Sequence, residues 1–207
     1  MRADLEIISK WIQPGTRVLD LGCGDGTLLE HLRATRDVTG YGLEIDDGNV
    51  VRCIERGVHV IKTDLDAGLA DFFDEESFDY VVMTQTLQAV YYPASLLTDM
   101  LRVGREGIVT FPNFGHWQSR LHLGLRGRMP MTRALPCDWY DTPNIHLCTL
   151  RDFECLCRQL EIVILQRAVV DYAHHASWGT RLLPNLLGEI ALYRFCRKRG
   201  EKAVTHQ

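Results

Sequence analysis

Arg17-Val-Leu-Asp-Leu-Gly22-Cys-Gly24-Asp-Gly26 is the stretch that decides the fold. Arg17 to Leu21 reads as a buried strand, largely apolar, that runs straight into glycines at three alternate positions. Glycine lets a backbone turn sharply and approach a ligand where a Cβ would collide. Leu28, Leu29 and Leu32 then supply one face of a helix, and amides at a helix start favour polar or anionic groups. Strand, glycine turn and helix make one βα unit.

The same texture continues outward. Leu5, Ile8 and Ile12 recur at helical spacing until Pro14-Gly15 stops them. Beyond the turn, Val38 to Glu44 predicts a second strand, Asn49 to Arg56 a helix, and Val58 to Ile61 a third strand. Phe78 to Met83 and Gly107 to Phe111 predict a fourth and fifth, with a helix over Ala94 to Leu101 between them. Thr149 and Asp152 predict a capped helix ending near Leu160, followed by a sixth strand region at 162–165 and 168–170. Glu189 to Arg197 completes a seventh, antiparallel strand. Strands alternating with helices in this way predict an α/β fold, a mostly parallel seven-stranded sheet with helices on both faces. Residues 1–198 read as a single domain. Within it, 113–148 is an elaboration rich in Gly, Pro, Trp, His and Arg in place of a regular βα repeat, and 199–207 is a flexible polar tail.

Ligands of such sheets lie beyond the carboxyl ends of the strands, so the acids there carry information. Gly-x-Gly-x-Gly differs from the dinucleotide spacing Gly-x-Gly-x-x-Gly, and no Gly-Lys-Ser or Gly-Lys-Thr follows to make a phosphate loop. Asp20 at the first strand tip suits a cationic amino group and is an odd neighbour for a pyrophosphate. Glu44, ending the second strand, can accept from ribose hydroxyls while Ile45 offers an apolar surface to a base. Asp64 after the third strand can accept from an exocyclic amine, with Leu65 against the ring. An amino acid, a ribose and an adenine would then lie in order over three strand tips.

In Asp20-Leu-Gly-Cys-Gly-Asp-Gly26, Glu44, Asp64-Leu65 and Phe78-Asp-Tyr-Val-Val-Met-Thr84 the chain resembles the class I S-adenosylmethionine-dependent methyltransferases, a Rossmann-like family. The resemblance implies S-adenosylmethionine, or S-adenosylhomocysteine as bound product, held by Asp20, Gly22, Cys23, Gly24, Glu44, Ile45, Asp64, Leu65 and Thr84. Cys23 enters as small backbone-contact material, since nothing in the sequence activates its thiol as a nucleophile. Gln85-Thr-Leu-Gln-Ala89, Phe111-Pro-Asn-Phe-Gly-His-Trp117 and Trp139-Tyr-Asp-Thr-Pro-Asn-Ile-His146 further resemble the MetW family of bacterial methionine biosynthesis, over nearly the whole chain. That resemblance implies an auxiliary or regulatory protein partnering homoserine O-acyltransferase. The alternative is a methyltransferase acting on an unidentified small molecule, with His146 or His116 removing the acceptor's proton and Tyr140 orienting it. Methyl transfer from a sulfonium can run by alignment alone, so no single histidine decides between the two.

Composition narrows the remaining classes. With 207 residues, 46% hydrophobic and 24% charged, the chain has the make-up of an ordinary globule of one core. Seven irregularly spaced cysteines and no basic-then-apolar leader predict reduced thiols and a cytoplasmic protein. No window approaches 18 uninterrupted apolar residues, which excludes a spanning helix. A formal net charge of -4 gives nucleic acid no global attraction. The six arginines from Arg102 to Arg133, set against Glu106 alone, suit a solvated or partner-binding face better than RNA, and no Asn-Pro-Pro-Tyr follows the fourth strand. Cys155 and Cys157 stand two apart on a predicted helix and do not share a face, so with His174 and His175 they make no metal site. Trp178, Leu182, Leu183, Leu186 and Leu187 predict core packing, or an apolar patch for a second subunit.

Overall fold

A computed structural model describes residues 3–132, 135–170 and 182–198. Its sheet runs β3-β2-β1-β4-β5-β7-β6, with β1 Arg17–Leu21, β2 Thr39–Glu44, β3 His59–Lys62, β4 Phe78–Thr84, β5 Gly104–Pro112, β6 Ile162–Val170 and β7 Ile190–Arg197. The first five strands pair in parallel, and β7 is antiparallel to both β5 and β6. This is the α/β arrangement that the alternating pattern predicts, and the Rossmann-like one that the family resemblance implies. Strand order reverses between β1 and β4, which opens a crevice at their carboxyl ends.

Alternation along the strands builds two cores. Leu19, Leu21, Val81, Met83, Val109 and Phe111 face helices α4 (Pro93–Val103) and α6 (Leu150–Gln159). Val18, Val82 and Ile108 face the other way, against α1 (Ala3–Trp11) and α2 (Thr27–Arg36), where Cys23 and Cys53 of α3 (Asp47–Glu55) also lie. Burying both faces is what makes the parallel strands read as near-continuous apolar runs.

β6 is one strand, as the sixth strand region predicts, with a register shift between Ile164 and Gln166. The structure departs from the pattern in two places. The 113–148 elaboration contains a regular helix, α5 (Trp117–Arg126), that its glycine and arginine content conceals. Leu182 and Leu183 are exposed instead of core, and a short helix α7 (Pro184–Leu187) leads into β7. His174, His175 and Trp178 lie outside the described residues, as does the 199–207 tail. Among the described residues no helix is long and apolar enough to cross a membrane, and no cluster of His, Cys, Asp or Glu could hold a metal ion.

Candidate functional site

The glycine turn is held by sheet neighbours as much as by its own residues. Gly22 and Cys23 both donate their amides to Leu43 O, at 2.8 and 3.0 Å, and Gly24 N donates to Glu44 Oε2 at 2.8 Å. Gly22, Gly24 and Gly26 all have positive φ, the left-handed region that glycine enters without strain. At Gly22 a Cβ would sit 2.6 Å from Thr86 Oγ1, whereas at Gly24 it would meet nothing within 4 Å. The side of the turn at Gly24 is therefore open, and the side at Gly22 is closed by the β4 tip.

Glu44 is 8% exposed, and its carboxylate accepts from three backbone amides: Gly24 on Oε2, and Ile45 and Asp46 on Oε1, both at 2.9 Å. A carboxylate has about four acceptor positions, so one on Oε2 is left for a ligand hydroxyl. The same side chain thus fixes the turn and presents an acceptor.

Gly22, Glu44, Ile45, Asp64 and Leu65 come together around one cleft of about 310 Å³ at the carboxyl ends of the strands. Asp64 caps a single 3₁₀ turn by accepting from Asp66 N, and Ile45 stands 59% exposed at the cleft wall. Asp20 and Cys23 are not on that wall; both are buried, Asp20 on β1 and Cys23 in the turn itself. Thr84 closes β4 in register with Thr110, and its carbonyl accepts the hydroxyl of Thr86, which lines the cleft in its place.

Sequence reasoning misses Thr63, Asp66, Thr86 and Tyr91 on this wall. Asp66 Oδ1 accepts from Tyr91 N at 2.8 Å, which ties the β4–α4 connection across the cleft to the residues after β3. An acid one residue past Asp64-Leu65 was the available signal. Tyr91 had none, since its position depends on a long-range contact.

The three proton-transfer candidates stand in different surroundings. His146 N donates to Gln88 O at 3.0 Å and its Nε2 lies 3.3 Å from Tyr91 O, so it stands at the cleft rim. Tyr140 is 73% exposed, with its ring edge-on to Trp139 and its hydroxyl 3.5 Å from Asp138 Oδ2. His116 caps α5, is buried, and burial holds its imidazole below the ordinary value. Asn113 next to it is consumed in fixing the chain, donating to Asn185 O and Gly188 O.

The methionine biosynthesis protein MetW family matches residues 2–195. The chain belongs to the MetW family. It is 37% identical over 207 residues to the bifunctional methionine biosynthesis protein MetXA/MetW of Rhodopirellula baltica, covering 96% of this chain but 33% of that one. It also shares 36% identity over 104 residues with a ubiquinone biosynthesis O-methyltransferase of Hahella chejuensis, covering 47% of this chain and 42% of that one. The chain therefore spans less than half the length of these curated relatives. Family membership places it in bacterial methionine biosynthesis. In fold it is similar to solved S-adenosylmethionine-dependent methyltransferases of Mesorhizobium loti (TM-score 0.67, 15% identity, covering 94% and 98% of the two chains) and Archaeoglobus fulgidus (0.66, 16%, 95% and 92%).

Proposed function

We propose that this MetW-family protein is an S-adenosylmethionine-binding auxiliary or regulatory partner of a homoserine O-acyltransferase. The observation that carries the reading is the identity to one portion of a longer chain named MetXA/MetW. Two activities on one polypeptide share a high effective concentration, and separate chains that cooperate must regain it by binding.

The cleft residues fit a nucleoside-bearing sulfonium. Glu44 would take a ribose hydroxyl on its remaining Oε2 position, Ile45 and Leu65 would flank the base, and Asp64 would accept from its amine. Gly24 leaves open space for a ligand to lie on the turn. Asp20, buried near the end of β1, would act on the ligand's amino group at long range or through water. When bound, S-adenosylmethionine supplies an electrophilic methyl group. In the auxiliary role this chain has no proton to remove.

One contact favours the second reading, a small-molecule methyltransferase: His146 stands at the cleft rim against Tyr91 O. The two readings separate in one set of measurements. Acyltransferase activity and complex formation are followed with wild type, His146→Ala and Glu44→Ala, with and without S-adenosylmethionine. A partner binds and raises acyltransferase activity, and His146→Ala keeps that effect. Glu44→Ala is expected to lose about tenfold to a hundredfold in cofactor affinity by calorimetry. Absence of a complex at micromolar concentrations, with acyltransferase activity unchanged, would defeat the partner role. Turnover of S-adenosylmethionine with one defined metabolite, lost in His146→Ala, would establish the enzyme instead.

A further inference from the structure

We propose that Cys23 and Cys53 are an oxidisable dithiol whose disulfide remodels the glycine turn. Their sulfurs lie 3.7 Å apart across 30 residues of chain, one on the turn and one on α3. Cys53 is fully buried, Cys23 is 8% exposed, and the Cys53 thiol also donates to Gly24 O at 3.2 Å. Glycines make the room. Cys23 Sγ occupies the space where a Cβ on Gly42 would stand, and Cys53 Sγ lies 3.1 Å from the place of a Cβ on Gly26. Each thiol thus has the other as its nearest reactive neighbour. A disulfide bond is about 2.05 Å long, so the sulfurs must close by roughly 1.7 Å.

That approach cannot leave the turn as it is. Cys23 sits between Gly22, whose Cβ position is hard against Thr86, and Gly24, whose amide is bonded to Glu44. Oxidation also removes the thiol hydrogen that Cys53 gives to Gly24 O. The peptide on which the proposed cofactor rests would shift, and the Glu44 carboxylate would shift with it.

Hydrogen peroxide is a sufficient oxidant. The Cys23 sulfur attacks one peroxide oxygen, the O–O bond breaks, and the departing hydroxide takes a proton to leave as water, giving a sulfenic acid. The Cys53 sulfur then attacks that sulfur, the S–O bond breaks, a second water leaves and the S–S bond forms. Two thiols lose two hydrogens and two electrons, and one peroxide becomes two waters. Burial, then Asp20, hold the Cys23 thiol well above its ordinary value, and burial also pushes Cys53 up, against its hydrogen bond with Cys23 and with Glu44 and Asp25 adding to the rise. Asp25 is itself paired with Arg56. The step is accordingly slow at neutral pH and faster in alkali. A ligand lying on Gly24 would shield Cys23, so occupancy and oxidation oppose each other; this part rests on the cofactor reading above.

Purified full-length protein is treated with hydrogen peroxide, then alkylated in denaturant and mapped by peptide mass spectrometry, with S-adenosylmethionine affinity measured before and after. A linked Cys23–Cys53 peptide that disappears on reduction is expected, together with an affinity loss of about tenfold or more that dithiothreitol reverses. Cys53→Ala, compared with its own untreated affinity, is expected to show no peroxide response. Modification confined to the exposed Cys137 and Cys155, or both buried thiols still alkylatable after treatment, would overturn the dithiol. A disulfide with unchanged affinity would overturn the coupling. Should reduced wild type bind no S-adenosylmethionine, the cofactor reading fails, while the peptide map still decides whether the disulfide forms.

Discussion

Gly24 has φ 57°, and a Cβ there would face open space, so a valine is opposed first by backbone strain and then by any ligand lying on the turn. Cys23→Ser changes a buried thiol for a hydroxyl of similar size and leaves the backbone alone. Gly24→Val should therefore weaken S-adenosylmethionine binding more than Cys23→Ser, and equal affinities for wild type and Gly24→Val by calorimetry would reject close approach at this position. His116 makes a different prediction. Burial depresses its imidazole below the ordinary 6.5, so the unfolded chain takes up a proton that the folded one resists. The unfolded state binds more protons in that window. Its contribution to stability is present above the ordinary value and is lost as pH falls through the folded one. Urea unfolding at about pH 7.5 and about pH 5.5 should show a larger acid loss for wild type than for His116→Gln, and equal losses would contradict it.

At the scale of elements, α5 stands out because its sequence and its packing disagree. Among its ten residues only Ser119 is buried, while Trp117, Leu121 and Leu125, spaced four apart on one stripe, are 43%, 50% and 78% exposed. Arg126 and Arg128, with His122, line a cleft together with Met131 and Trp139. The arginines that read as one basic stretch are divided by the fold. Arg102 and Arg105 precede the body of β5 and are engaged by Asp99, Glu76 and Asp79, whereas Arg120 to Arg128 follow it at the opposite end. The second group adjoins the apolar stripe of α5. An exposed leucine exchanged for a charge changes stability by only about 0.5 kcal/mol. Leu121→Asp with Leu125→Asp should thus leave the unfolding midpoint nearly unchanged while weakening the proposed acyltransferase complex by about tenfold or more. Unaltered complex affinity in the folded double variant would remove α5 from the interface. The α6 cap, by contrast, was legible residue by residue: Thr149 accepts from Asp152 N, and Asp152 accepts from Thr149 N.

Over the whole molecule, a ligand that binds only the folded state stabilises it by mass action. S-adenosylmethionine at about 100 times its dissociation constant should add about 2.7 kcal/mol, or about 5–10 °C in unfolding midpoint for a chain of this size. A folded protein with no midpoint shift under saturating cofactor would count against the cleft as its site. The sequence by itself determined the βα alternation, the glycine turn and the acids at the tips of β1, β2 and β3, because burial on both sheet faces and glycine's left-handed freedom are local constraints that each residue carries. With strands in parallel, those tips gather at one end of the sheet, and so Gly22, Glu44, Ile45, Asp64 and Leu65 could be grouped before any coordinates were known. Tertiary structure decided everything that depends on contacts across the chain. It buried Asp20 and Cys23, put Thr86 at the wall where Thr84 was expected, and brought Tyr91 and His146 together through Asp66 and Gln88. It also set Cys23 against Cys53, a distance fixed by how α3 packs on β2 and one that no spacing of 30 residues could announce.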